Sequence, residues 1–219
     1  MKMLLKRLLV TIVEAVIRDL GPLVILLGGT GCVGKSFFSE ELAKHLRSSL
    51  GLKVSILDLD CYLIEREKRE SGPTPISGYN PVGYELPNAS NDIKSLLKGK
   101  KIIVSPYDKV VSRRTKKIQV EPAEILIIEG VMAMTEHIRS FGRLLIFFDA
   151  EKEVEYKNRL IRENGFGFDP DRTKRKFELL REDYGKFIVP QKRFADILVN
   201  VGNKYEFLSV ELRGSLNLI

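Results

Sequence analysis

Residues 29–36 read Gly29-Thr30-Gly31-Cys32-Val33-Gly34-Lys35-Ser36, with every fixed position of the pattern GxxxxGK[ST] filled. The run follows an apolar stretch, residues 23–27, and opens a segment with helical periodicity. This order admits few folds, because the pattern functions only as a tight turn from a buried strand into a helix. The glycines let the backbone curl so that successive N–H groups point at one anion. Lys35 adds a point charge and Ser36 a hydroxyl for a hard divalent cation. A glycine-rich turn without a ligand is the alternative, and the flanking strand and helix argue against it. All eight residues are therefore candidates for binding a nucleoside triphosphate with magnesium.

The remaining chain alternates strand and helix patterns. Residues 23–28, 53–59, 125–128, 143–148 and 197–201 read as buried strands. Residues 35–50, 88–97, 151–163 and 172–187 read as helices, with Gly51 marking one turn. Continuous apolar strands separated by helices imply a parallel sheet covered by helices on both faces, an α/β fold. Between residues 101 and 120 the pattern changes, and two β-rich runs flank Pro106-Tyr107-Asp108-Lys109, which predicts a projecting hairpin or flap. Residues 5–20 carry apolar positions (Leu5, Leu8, Leu9, Ile12, Val13, Val16, Ile17, Leu20) at helical spacing, opposite Glu14, Arg18 and Asp19. They predict an amphipathic helix over residues 1–20 that packs on the domain and ends at Gly21-Pro22. The apolar run is too short and broken for a targeting segment.

With 219 residues there is room for one sizeable core, and no repeat or linker divides it, so residues 1–219 are read as one domain. The formal charge of +7 suits polyanionic ligands, yet it equally suits a solvated lysine-rich surface. No nucleic-acid reader module accompanies it. Cys32 and Cys61 are too few for a disulfide framework and lack metal-ligand spacing, pointing to reduced thiols in the cytoplasm. No membrane partner is expected, and a homo-oligomer is compatible with the sequence.

In a parallel sheet, ligands collect beyond the carboxyl ends of the strands, so acids there are candidates for chemistry. Asp58 and Asp60 close the strand at 53–59, where alternation sets them on one face, and Glu129 closes residues 125–128 before Gly130. Such a carboxylate can hold magnesium or accept the proton of an attacking hydroxyl. The residues alone leave open which acid does which.

The motifs GGTGCVGKS, LDLDCYL, SPYDKVVSRRT, ILIIEGV and FIVPQKRFADILV, in this order across residues 24–201, resemble the uridine kinase and phosphoribulokinase family of phosphate-loop kinases. The resemblance implies a P-loop NTPase fold with a helical lid, here about residues 159–176. It also implies transfer of the ATP γ-phosphate to a hydroxyl of a small metabolite, a nucleoside or related compound. It assigns Asp60 as the base that takes the hydroxyl proton, and Glu129 with Ser36 as the magnesium shell. Tyr62, Tyr79, Tyr107, Lys109, Arg114 and Arg162, which lie in or beside the matched segments, become candidate acceptor contacts.

Some positions depart from that pattern. Lys109 and Ser112 stand where uridine kinases carry an aromatic residue and a histidine, and Gly78-Tyr79-Asn80-Pro81 lacks the acid that binds a ribose diol. Lys109, Arg113 and Arg114 on the flap suit an acceptor that already carries an anion. A phosphorylated sugar, pantothenate or a glycerate is thus an alternative acceptor. In the lid, Arg159 and Arg162 lie three residues apart on one helix face and are candidates for stabilising the transferring phosphoryl group together with Lys35. Arg172, Lys174 and Arg175 match more loosely, and Gly165 and Gly167 are candidate hinges. A nucleotide-driven switch or assembly NTPase is the reading from another class. It lacks a DxxG segment, and Asn203-Lys204-Tyr205-Glu206 fails the NKxD pattern at its last residue.

Overall fold

The longest apolar run after the first helix forms the centre of the molecule. In this computed structural model, which describes residues 2–20 and 23–213, β1 (Leu23–Gly29) is buried at all seven positions. It lies between β7 (Ile125–Glu129) and β8 (Leu144–Asp149), both parallel to it. Beyond β7 lies β2 (Val54–Asp58), and beyond β8 lies β9 (Ile197–Val201), also parallel. β10 (Phe207–Leu212) closes the far edge antiparallel to β9, giving the order β10-β9-β8-β1-β7-β2. The sequence had not marked β10, whose Leu208, Val210 and Leu212 alternate with polar residues on an edge.

Two-residue alternation sends each strand's side chains to opposite faces, and helices cover both. Leu23, Ile25, Leu27, Ile125, Ile127, Ile146 and Phe148 pack with Leu9, Val13 and Ile17 of α1 (Lys2–Leu20) and with Phe38, Leu42 and Leu46 of α2 (Lys35–Leu50). Val24, Leu26, Leu126, Ile128, Leu145 and Phe147 face Leu86, Ala89 and Ile93 of α4 (Leu86–Leu97), Ile138 of α5 (Glu136–Arg139) and Leu180 of α7 (Pro170–Asp183). Of the apolar face expected for α1, Leu9, Ile12, Val13, Val16 and Ile17 are buried against the sheet, whereas Leu8 is exposed. The side chains of residues 2–6 and 18–20, and Gly21-Pro22, lie outside the described residues.

The flap is a double hairpin. β3 (Ile102–Val104) pairs with β6 (Ile118–Val120), and beyond a break at Pro106 β4 (Tyr107–Asp108) pairs with β5 (Arg113–Arg114). Ile102, Val104 and Val120 anchor its base in the core, so the tip at residues 109–112 is held over the sheet's carboxyl end. α3 (Arg66–Glu70) braces that tip, since Arg66 N–H donates to Ser112 O at 3.1 Å. The lid is α6 (Lys152–Asn164) and α7, joined by residues 165–169. α7 ends at Asp183, four residues short of its expected end, where a π turn over Tyr184–Ile188 takes over.

Candidate functional site

The turn after β1 needs glycine at its first position. Gly29 has φ 119°, and a Cβ there would fall against the carbonyl oxygen of Phe148. Thr30 N–H donates to that same carbonyl at 3.1 Å, Cys32 is left-handed at φ 56°, and Gly34 caps α2 at φ 81°. No side chain caps this helix, so its first N–H groups face an open space beyond β1.

That space is a cavity of about 520 Å³, within the usual range for small-molecule sites. Residues 31–36 form one wall, Asp58, Asp60, Glu129 and Gly130 its floor at the strand ends, and Tyr107, Lys109 and Ser112 the flap side. Arg159, Arg162 and Lys176 close it from the lid. Lys35 folds back onto the loop, donating to the carbonyl oxygens of Thr30 at 2.6 Å and Gly29 at 3.3 Å. Burial lowers its pKa against the opposing pull of Glu129 and Asp60.

The three strand-end acids differ in environment. The expected strand to residue 59 stops at Asp58, and a 3-10 turn over Leu59–Tyr62 carries Asp60, so alternation does not relate the two aspartates. Asp58 is the cap of that turn, accepting from Asp60 N–H at 2.8 Å. Burial, with Asp60 and Glu129 adding like charge, raises the Asp58 pKa well above the carboxylate range. For Asp60, burial pushes the same way but is outweighed by Lys109, whose ammonium lies 3.1 Å from Oδ2, with Lys35 and Arg162 adding to it. Asp60 is accordingly held below the usual range and ionised. Glu129 is raised by burial, and its hydrogen bond from Ser36 and the charge of Lys35 oppose that shift.

The Ser36 hydroxyl and the Glu129 carboxylate are hard oxygen donors side by side. They fit magnesium, which takes one or two protein ligands and completes its shell with waters and phosphate oxygens. Among the described residues, no group of three or more His, Cys, Asp or Glu forms a metal cage.

Among the sequence-derived candidates, Asp60, Tyr107, Lys109, Arg159, Arg162, Glu129 and residues 31–36 share the cavity. Gly29 and Thr30, the first two residues of the loop, are not part of its lining. Tyr79 lines it too, with its buried hydroxyl hydrogen-bonded to Thr30, Gly31, Glu155 and Arg159. Two residues face elsewhere. Tyr62 donates to Asp92 at 2.8 Å, and Arg114 is held between Glu65 and Glu85, both beside a separate concavity under the flap. Arg172 stacks on Phe168, while Lys174 and Arg175 are exposed and away from the cavity.

The sequence reading missed Lys176, Glu155 and Glu163. For the two acids a signal was present. Glu155, Arg159 and Glu163 repeat every four residues on α6, and Arg159 is sandwiched between the two acids at 2.9 and 3.6 Å. Lys176 lies on the Thr173–Leu180 stripe of α7 and pairs with Glu163 at 2.8 Å. No helix of the described residues is long and apolar enough to cross a membrane.

Known proteins share this architecture. A uridine kinase of Lactobacillus helveticus is 27% identical over 210 residues, covering 90% of this chain and 96% of its own. A uridine kinase of Brevibacillus brevis is 26% identical over 197 residues, covering 87% and 90%. Among solved structures, a D-glycerate 3-kinase from Cryptococcus neoformans superposes with a TM-score of 0.71 at 13% identity, over 95% of this chain and 99% of that one. The phosphoribulokinase of Rhodobacter spheroides gives 0.68 at 14%, over 90% and 82%, which speaks to the fold alone. The family model described as Phosphoribulokinase / Uridine kinase family matches residues 24–207, so the chain belongs to that family and is an ATP-dependent kinase with an alcohol group as acceptor.

Proposed function

We propose that ATP enters over the phosphate loop and that the acceptor hydroxyl approaches Asp60 from the flap side. One observation supports this division above all: Asp60 faces the flap, paired with the Lys109 ammonium at 3.1 Å, while Glu129 faces the loop through its hydrogen bond with Ser36. The loop N–H groups and the start of α2 take the phosphates, and Lys35 leaves its two carbonyl partners to follow the γ-phosphate. Asp60 accepts the hydroxyl proton as the new O–P bond forms and the bond from the γ-phosphorus to the β-phosphate oxygen breaks, releasing ADP. Arg159 and Arg162 bring positive charge to the transferring group, and closure of the lid keeps water out. Magnesium held by Ser36 and Glu129 would neutralise the phosphate oxygens.

Two acceptor classes follow from different observations. The names of the relatives point to a nucleoside. The ammonium of Lys109, on the acceptor side and aimed at Asp60, favours an acceptor carrying its own phosphate or carboxylate, which would draw Lys109 away and free the base. The experiment is acceptor-dependent ADP release across nucleosides, sugar phosphates and hydroxy acids, with the wild type and Lys109→Ala. An anionic acceptor should lose at least about tenfold in kcat/KM in the variant. Uridine turned over at about 10⁴ M⁻¹s⁻¹ or above, unaffected by Lys109→Ala, would establish the nucleoside and remove the anionic reading.

A further inference from the structure

The Tyr79 side chain has no counterpart in the division of labour above, yet its hydroxyl is the most connected polar atom near the loop. It accepts from Gly31 N–H at 2.6 Å and lies 3.0 Å from Thr30 Oγ1. It donates to Glu155 at 2.5 Å, and Arg159 Nη2 reaches it at 3.2 Å. Tyr79 is 3% exposed, Thr30 and Glu155 are 0% and Arg159 is 3%. Three separate stretches of chain therefore meet at one oxygen: the phosphate loop, the Gly78–Pro81 segment and the lid helix α6. Burying these groups is tolerable only while each has its partner, so the arrangement is fixed as a unit.

The contact also limits the loop. A Cβ on Gly31 would lie 2.7 Å from the Tyr79 hydroxyl and 2.7 Å from Arg159 Nη2, so both pack closely enough to exclude a side chain there. Arg159 is further clamped by Glu155 and Glu163. Its Nε has no hydrogen-bond partner within the protein. The guanidinium that serves the phosphate side is thus held in place from behind, partly by a phenol on the acceptor-side segment.

We infer that Tyr79 is a positioning residue for ATP and does not contact the acceptor by its hydroxyl: it fixes the phosphate loop at Gly31 and aims Arg159. The inference rests on the kinase reading, and its test separates the two failures. Tyr79→Phe keeps the ring and removes only the oxygen. Affinity for a non-hydrolysable ATP analogue, measured by calorimetry without any acceptor, should fall about tenfold, and kcat should fall by a similar factor. The acceptor KM should stay within about twofold. In a cycle with Arg159→Lys the two losses should be strongly non-additive, since both variants break one unit.

A rise in acceptor KM with analogue affinity unchanged would overturn the inference in favour of direct acceptor contact. A lower melting temperature with unchanged analogue affinity and kcat would reduce Tyr79 to a core residue and overturn it equally. Should Tyr79→Phe fail to fold, Thr30→Val removes the loop's hydroxyl from the same oxygen while keeping its shape, and it should weaken the analogue in the same direction by a smaller factor. No change there would also reject the coupling. Loss of turnover for every acceptor in the wild type would count against the kinase reading, whereas analogue binding would still test Tyr79.

Discussion

The two walls of the cavity are built on different principles. On the phosphate side the backbone does the work: eight consecutive residues, a helix start without a side-chain cap and glycines at φ 119° and 81° shape an anion cradle. On the side proposed for the acceptor the wall is made of side chains from three separated places, Asp60 in a 3-10 turn, Tyr107, Lys109 and Ser112 on the flap, and Arg66 on α3. A backbone cradle tolerates many sequences and one ligand class, whereas a side-chain wall can be changed one residue at a time. One scaffold can therefore keep its phosphoryl donor while its acceptor varies. The strongest test of this contrast removes one group from each side.

The largest effect is expected at Asp60. Asp60→Asn should lower kcat about a thousandfold and leave ATP-analogue affinity within a few-fold, because the base acts only on the acceptor proton. Asp58→Asn keeps an oxygen that can cap Asp60 N–H, so it should be milder by at least an order of magnitude. A dead Asp58→Asn beside an active Asp60→Asn, both folded and binding nucleotide, would exchange their roles. On the other wall, Lys35→Ala should cost about a hundredfold in turnover at unchanged fold. Acceptor-dependent turnover that survives it would break the donor half of the comparison.

The same contrast explains what the sequence disclosed. The loop, β1, α2 and β7 were legible because their signals are local: a fixed spacing, continuous apolar runs and an acid followed by Gly130, whose φ of 149° lets the chain turn beside Leu59. On the acceptor wall Asp60, Tyr107 and Lys109 were legible as candidates through their motifs, but their local geometry was not. Alternation put Asp58 and Asp60 on one face of a strand, but Asp58 folds back onto Asp60 N–H and starts a turn. Arg114 read as an anion receptor because a flap arginine is cationic in any sequence. Its two glutamates, Glu65 and Glu85, come from segments that only the fold brings near. Lys176 was hidden by its helix, which read as a polar, solvated face.

A smaller effect sharpens the lid's place between the walls. Burial, reinforced by the charge of Arg159, pushes the Lys176 pKa down to about 8, against the attraction of Glu163. Between about pH 8 and the ordinary lysine value the folded chain has lost a proton that the unfolded chain keeps. The burial penalty is therefore full below about pH 8, and the contribution of Lys176 to stability rises with pH across that window. Function should move the other way. As pH rises through about 8 the cavity loses a positive charge, so KM for ATP should increase about threefold more in the wild type than in Lys176→Gln. Parallel pH profiles would place Lys176 outside the nucleotide's field.

The smallest effect is predicted for Arg114, and it tests whether the acceptor wall ends at the cavity. Arg114 is paired with Glu65 at 3.4 Å and with Glu85, beside a concavity that also takes Tyr62, Asn88 and Asp92. Its guanidinium thus braces the outer hairpin of the flap to the residues that start α3 and α4. Truncating a part-exposed pair of this kind costs about 0.5–1 kcal/mol, a shift of a few degrees in Tm for a chain of this size. Arg114→Ala should accordingly lower Tm slightly and leave acceptor kcat/KM within about twofold, while Lys109→Ala changes it by at least about tenfold for an anionic acceptor. If Arg114→Ala instead produced the tenfold loss and Lys109→Ala did not, the acceptor's anion would lie under the flap and not inside it. Tyr62 would then regain its place among the acceptor contacts, and the side-chain wall would extend to the second concavity.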